Sequence, residues 1–149
     1  TGRAVFVPDY PLAPEHQWPA RLNTALTVID ALSPCDLVGD RTGGNLALNV
    51  ALNEGLIGRL AVLPPNTDRS GQSTKRTHNT PHDLMNDDVQ DRKLANMALV
   101  HRPNNDPAAS PLLTDLSRLP PLFITATTTE VLLDNSLLLT LQATRRASP

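Results

Sequence analysis

One cysteine, four aromatic residues and the lack of any long apolar run set the first limits on this 149-residue chain. With Cys35 alone, an internal disulfide framework is excluded, and an intracellular setting is allowed. The aromatics are Phe6, Tyr10, Trp18 and Phe123 against 25 leucines, so any core must be aliphatic. No segment approaches the roughly 18 consecutive apolar residues that a bilayer span needs, and no signal-peptide pattern opens the chain. A cytoplasmic location is the expectation. Charge of one sign is also lacking. The 13 basic and 15 acidic side chains leave a net charge of −2, which excludes the broad basic footprint of sequence-independent nucleic-acid binding.

What is present suits one globular domain. The chain is 40% hydrophobic, enough for a core, and its length falls within the roughly 100–200 residues of a typical domain. Its 14 prolines, about 9% against a usual ~5%, punctuate the chain and form no tract. It opens at Thr1 without an initiator Met and stops at Ser148-Pro149 soon after an apolar helix, so both ends read as cut.

Residues 3–7 (Arg-Ala-Val-Phe-Val) predict a short buried strand that Pro8 ends. A proline-rich connector, Pro8 to Pro19, leads into a helix with Pro19 in its first turn. Leu22, Ala25, Leu26, Ile29 and Leu32 follow at helical spacing, and Ser33-Pro34 stops it. Cys35 to Val38 predicts a second strand, with Cys35 a small buried apolar residue. A helix over about 42–54 follows, with Leu46, Ala47, Val50 and Ala51 on one side and Gly55 as its stop. Leu60 to Leu63 predicts the third strand. From Asn66 to His82 no residue is strongly apolar, which predicts a long surface loop. Thr80-Pro81 and Asp87-Asp88 are helix-start signals. The second precedes a helix over about 88–101 with Leu94, Met97, Ala98 and His101 on one face. After a turn-rich stretch, residues 121–125 predict a fourth strand, and residues 132–146 a Leu-rich helix. Strands separated by helical crossovers imply an α/β domain: a parallel sheet of about four strands, at 4–7, 35–38, 60–63 and 121–125, flanked by helices.

The segment Val38-Gly39-Asp40-Arg41-Thr42-Gly43-Gly44-Asn45-Leu46 joins a strand to a helix, with Gly two residues either side of Arg41. A nucleophile elbow sits at such a place, on a tight turn that lifts the reactive side chain above the sheet. The glycines make room for the approach of strand and helix. The amides of Thr42 and Gly43 point where an oxyanion would form. The central residue, however, is Arg and not Ser.

Five segments, in order along nearly the whole chain, resemble the hormone-sensitive-lipase-like branch of the α/β-hydrolases. Asp9 to His16 is similar to its D-Y-R-L-A-P-E-H, Gly39 to Leu46 to its G-D-S-A-G-G-N-L, and Thr67 to Ser70 to its T-D-L-S. Asp106-Pro107 with Ser110-Pro111-Leu112 matches D-P-x-x-S-P-L. Leu119 to Ile124 followed by Glu130 to Ser136 resembles its L-P-P strand and E-x-L-L-D-D-S acid loop. The resemblance implies a partial α/β-hydrolase fold and a carboxylic-ester hydrolase ancestry. In that family a Ser attacks an ester carbonyl, a His takes its proton and an Asp or Glu orients the His. By position, Arg41 stands at the nucleophile site, Thr42 at the oxyanion amide and Glu130 at the triad acid. The family's His lies one strand beyond the acid-loop helix, and its H-G-G-G oxyanion loop lies upstream; neither occurs within these 149 residues.

The departures set the chemistry that is expected. A guanidinium stays protonated at physiological pH and offers no oxygen or sulfur, so Arg41 cannot form an acyl-enzyme. Thr42 has a hydroxyl, but the chain has turned into the helix by then and the side chain should point away. Loss of nucleophile and base together removes a factor on the order of 10⁶. The expectation is a hydrolase-family chain that is inactive as it stands, a pseudoenzyme. Two alternatives remain open: a non-catalytic module binding a small carboxylate, and a fragment of an active esterase.

Each candidate residue also has a plainer reading. Arg41 beside helix amides could hold a carboxylate or phosphate; alternatively it has drifted, and folds over to pair with Glu130 or Asp40. A cation costs about 0.3–1 kcal/mol at a helix N-terminus and should seek a carboxylate. Glu130 reads as the relic acid or as a solvated loop carboxylate, and Asp134 as a helix cap or first-turn residue beside Asn135 and Ser136. His78 and His82-Asp83 lie in a polar loop with no further ligands, and read as solvated rather than as a metal site. His16 and His101 read as structural, Glu15 as a local hydrogen-bond acceptor in the connector, and Lys75-Arg76 as too short for a nucleic-acid patch. No cofactor or metal is expected, and the expected partner is at most a small-molecule ester or carboxylate. Unpaired sheet edges predict low stability or association for the isolated chain.

Overall fold

Three short apolar segments pair side by side into a parallel sheet in the computed structural model, which describes residues 2–53 and 56–147. The order along the chain is α1 (Ala20–Leu32), β1 (Cys35–Asp40), α2 (Thr42–Asn53), β2 (Ile57–Leu63), α3 (Lys75–Asn79) and α4 (Asp88–Ala98). Two 3-10 turns, Pro111–Leu113 and Leu116–Arg118, then lead to β3 (Leu122–Ile124) and α5 (Leu133–Ala147). The sheet order is β1-β2-β3.

Register decides which side chains share a face. Leu37, Leu60 and Leu122 stand in one row, and Gly39, Val62 and Ile124 in another. Both rows face the core, where α2 packs over β1 and β2 and α1 packs against α2. The row between, Val38, Ala61 and Phe123, points the other way, with Val38 75% and Phe123 64% exposed. α2 is buried on all sides from Gly44 to Ala51, as expected for a helix apolar around most of its circumference. Its two buried asparagines are satisfied. Asn45 Nδ2 donates to the carbonyls of Asn66 (2.9 Å) and Ala108 (3.3 Å), and Asn49 Nδ2 donates to the carbonyl of Asn45 (2.9 Å). No helix among the described residues is long and apolar enough to cross a membrane.

Several sequence expectations are corrected. The sheet has three strands and not four. Residues 4–7 form no strand, and Val5, Phe6 and Val7 are exposed. β propensity makes no strand without backbone hydrogen bonds to a neighbour, and among the described residues the segment is tied to β1 by an Arg3–Asp36 ion pair. Pro19 is the N-cap of α1 instead of a first-turn residue. β2 begins three residues earlier than the apolar run, and Gly55, expected to stop α2, lies outside the described residues.

The supposed surface loop 66–82 is the largest departure. Asn66, Thr67 and Asp68 are buried, and residues 75–79 form α3. Thr80 closes that helix, its amide and hydroxyl both donating to the Arg76 carbonyl, and so starts nothing. Asp87 does cap α4, accepting from the Gln90 amide at 2.7 Å. That helix nevertheless ends at Ala98 and buries Asp88 and Asp91, leaving Leu94 54% exposed. The reason is its neighbours. The carboxylates meet Arg69 and Arg76, so the charged face turns inward. His101 lies beyond the helix, exposed, at φ 65°. His16 and Glu15 are also exposed, and Glu15 accepts no hydrogen bond among the described residues. Cys35 opens β1 only half-buried, with its thiol pushed up by burial and by Asp36.

Candidate functional site

The turn between β1 and α2 is built by contacts that leave no freedom at two glycines. A Cβ on Gly39 would lie 2.4 Å from the Gly43 carbonyl oxygen, and one on Gly44 would lie 2.9 Å from the Cβ of Pro65. Gly43 differs: a Cβ there would meet nothing within 4 Å, so it is not needed for the approach of strand and helix. Between them, Arg41 takes the left-handed conformation, φ 49°. That costs an L-residue about 1–2 kcal/mol. Its backbone is held on both sides. The Arg41 amide donates to the Leu63 carbonyl (2.7 Å), and its carbonyl accepts from the amides of Asn45 and Asn66, each 3.1 Å away. The sharp strand-to-helix elbow is therefore present with Arg at its apex. Thr42 is exposed, and the amides of Thr42 and Gly43 find no backbone acceptor among the described residues, as expected for a first helical turn.

The Arg41 guanidinium reaches back over the sheet to the loop before α5. Its Nη2 lies 3.7 Å from Glu130 Oε1, with the two side chains 19% and 17% exposed. Glu130 Oε2 accepts from the Thr127 amide at 2.8 Å. Arg41 Nη1 is buried without a hydrogen-bond partner.

Two residues fix the Glu130 loop: Asn79, which sequence reasoning does not single out, and Asp83, which it reads as a solvated side chain. Asn79 Nδ2 donates to the carbonyls of Thr128 (3.1 Å) and Glu130 (2.7 Å). Asp83 accepts from the Val131 amide (2.9 Å) through one oxygen and from the Met85 and Asn86 amides (2.9 and 3.0 Å) through the other. Burial pushes the Asp83 carboxyl upward, but these amides and the Arg41 charge outweigh it, so it sits below the usual carboxylate range. Arg41 thus pairs with Glu130 and lies near enough to Asp83 for its charge to favour that carboxylate.

The base of the site rests on Asn135, which is fully buried. Its Oδ1 accepts from the Thr67 and Asp68 amides, both at 2.8 Å, and its Nδ2 donates to Ser73 Oγ at 2.7 Å. Asp134 lies in the first turn of α5, but caps a different helix: its Oδ2 accepts from the amides of Thr74 (2.9 Å) and Lys75 (2.8 Å) at the start of α3. The one signal for Asn135 was its place in the acid-loop segment. His78 and His82 are exposed, their rings 6.2 Å apart, and no group of three or more potential ligands that could hold a metal occurs among the described residues.

Chemically, Arg41 presents a fixed cation beside the amides of Thr42 and Gly43, an arrangement that can pair with or orient an anion.

With that geometry in hand, likeness to known proteins is informative. A profile of the alpha/beta hydrolase fold matches residues 1–146. The chain is 33% identical over 149 residues to an esterase of Acinetobacter venetianus, a match covering 91% of this chain and 49% of that protein. Two solved structures superpose closely. An esterase from the bacterial hormone-sensitive lipase family gives a TM-score of 0.84 at 30% identity, over 93% of this chain and 51% of that one. A hormone-sensitive lipase from a metagenome library gives 0.85 at 25% identity, over 93% and 52%. The chain spans about half the length of these relatives.

Proposed function

We propose that this chain, which belongs to the α/β-hydrolase family in its hormone-sensitive-lipase-like branch, keeps an esterase scaffold without the ester-cleaving step. The observation that carries the reading is Arg41 at the apex of an intact elbow, with φ 49°. A residue at that apex would have to supply the attacking electron pair, and a protonated guanidinium has none to give. Thr42 keeps the oxyanion-amide position. Glu130, at the acid position, pairs with Arg41 in place of orienting a base.

The test is hydrolysis of a short-chain p-nitrophenyl ester by the 149-residue chain, run beside labelling with a fluorophosphonate. Neither turnover above buffer nor a covalent adduct is expected. Turnover that disappears in Glu130→Ala, or an acyl or phosphonyl adduct on any atom of the chain, would overturn the reading.

A second reading draws on the unpartnered Arg41 Nη1. With the Thr42 and Gly43 amides beside it, this donor suits a carboxylate, the product half of an ester. Butyrate binding that weakens as salt is raised and is lost in Arg41→Ala would favour this carboxylate-binding role. Binding unchanged in Arg41→Ala would remove it.

A further inference from the structure

Arg76 has more donors than its neighbours can accept. Its side chain is 6% exposed; Nε donates to Asp88 Oδ1 at 2.6 Å and Nη2 to Asp91 Oδ2. Nη1 is buried and has no partner. The nearby carboxylates are already occupied. Asp88 Oδ2 takes Arg92 Nε at 2.8 Å, and Asp91 takes both Nη atoms of Arg69 (2.8 and 3.2 Å) and Asn66 Nδ2 (3.2 Å). A buried, charged donor left unpaired costs more than a neutral one, which is why native structures seldom keep any.

The residues around Arg76 enclose a place for the acceptor. A cleft of about 110 Å³ is lined by Arg69, Arg76 and Arg92, with Asn96 and Asn104 at its exposed end and Asp68 beside them. Asp68 does not supply the missing acceptor. Its oxygens accept from the Ser70 amide at 2.9 Å and the Ser73 amide at 2.7 Å. Among the described residues Arg92 is bonded through Nε alone, so its outer nitrogens can turn toward the cleft.

We propose that this cleft binds a small tetrahedral oxyanion, inorganic phosphate or sulfate, with Arg76 Nη1 as the buried contact and Arg92, Asn96 and Asn104 closing over it. A single water, whose share of liquid volume is roughly 30 Å³, would leave most of the cleft empty, whereas an XO₄ ion presents oxygens in several directions at once. With Asp68, Asp88 and Asp91 the three arginines sum to a formal charge of zero. Recognition therefore comes from donor geometry, and affinity is expected near about 1 mM. The site is separate from the elbow and does not depend on the reading of Arg41.

The experiment is a titration of sodium phosphate into the 149-residue chain, with NaCl holding ionic strength constant. The thermal midpoint and the heat of binding are both read. Phosphate and sulfate are expected to raise the midpoint saturably, and acetate is not. Arg92→Gln should weaken the affinity about tenfold. Asn96→Asp, at an exposed position, should weaken it at least tenfold by placing a carboxylate in the cleft. Two results would overturn the proposal: no saturable shift up to about 50 mM phosphate in a cooperatively melting chain, or saturable binding that Asn96→Asp leaves intact.

Discussion

Replacing Asn135 by Ala tests whether buried hydrogen bonds, more than apolar packing, hold the acid loop over the elbow. Asn135 is fully buried, and its Oδ1 is the acceptor for two amides that are themselves 0–1% exposed, those of Thr67 and Asp68. Removing it strands both donors away from water, at about 1–3 kcal/mol each, and also frees Ser73 Oγ. The expected loss is therefore about 3–6 kcal/mol, a large share of the 5–15 kcal/mol available to a domain. Urea unfolding followed by circular dichroism measures it as a fall in midpoint at constant slope. Asn135→Leu separates the possible causes. Leu fills the volume but accepts nothing, so it should cost as much as Ala if hydrogen bonds matter, and much less if the cavity does. Ser73→Ala, which removes one partner only, should cost about 1 kcal/mol. Either Asn135 variant within 1 kcal/mol of the parent would refute the reasoning.

Other substitutions probe the elbow and the acid dependence. Gly39→Ala drives a methyl against the Gly43 carbonyl oxygen, only 2.4 Å away; a loss of about 3 kcal/mol or more in urea unfolding is expected, whereas Gly43→Ala should change stability by less than about 1 kcal/mol. Arg41→Gly should be about 1 kcal/mol more stable than Arg41→Ala in the same assay, because only Gly adopts φ 49° without strain; equal stabilities would show that the left-handed turn is wrongly placed. Asp68, Asp83 and Asp88 lie below the usual carboxylate range: burial raises each, but hydrogen bonds from amides, hydroxyls and arginines outweigh it. A depressed folded value stabilises above the unfolded value of about 3.9 and is lost as pH falls through it. The urea midpoint should accordingly drop as the pH falls below about 4 and on through the depressed folded values, and Asp83→Asn should flatten that drop; an unchanged slope would count against the amide cage around Asp83.

The sequence disclosed those parts of the fold whose cause is local. α1, α2 and the elbow follow from apolar spacing, capping and two glycines, all within a few residues of one another. The Glu130 position was legible only through the family's acid-loop segment. What escaped was burial without apolarity. Thr67 and Asp68 look like loop surface because both are polar, yet the groups that satisfy them come from Asn135, Ser70 and Ser73. Nothing in a linear reading pairs residue 67 with residue 135. α4 misled for the same reason: Asp88 and Asp91 share one face at a spacing of three, and that acidic stripe was the available signal. It was outweighed by Leu94 and Met97, whose spacing suggests a core face only while the arginines across the gap stay unseen. Residues 4–7 failed in the opposite sense, apolar enough for a strand but without strand pairing to β1 beside them.

On the proposed reading, the elbow accommodates a residue other than a nucleophile without loss of the fold that presents it. Its shape is fixed by the Gly39–Gly43 approach, by Gly44 against Pro65 and by backbone bonds from Arg41 to Leu63, Asn45 and Asn66. None of these contacts uses the side chain at position 41. A substitution there changes what the turn presents but leaves the turn itself, and the strain of φ 49° falls on any non-glycine residue alike. The new side chain then needs only a partner. Glu130, held in place by the Thr127 amide and by Asn79, already stands 3.7 Å from the guanidinium. Removing that partner should therefore disturb the side chain of Arg41 much more than its backbone, so Glu130→Gln should alter local charge interactions and leave the elbow's hydrogen-exchange protection unchanged.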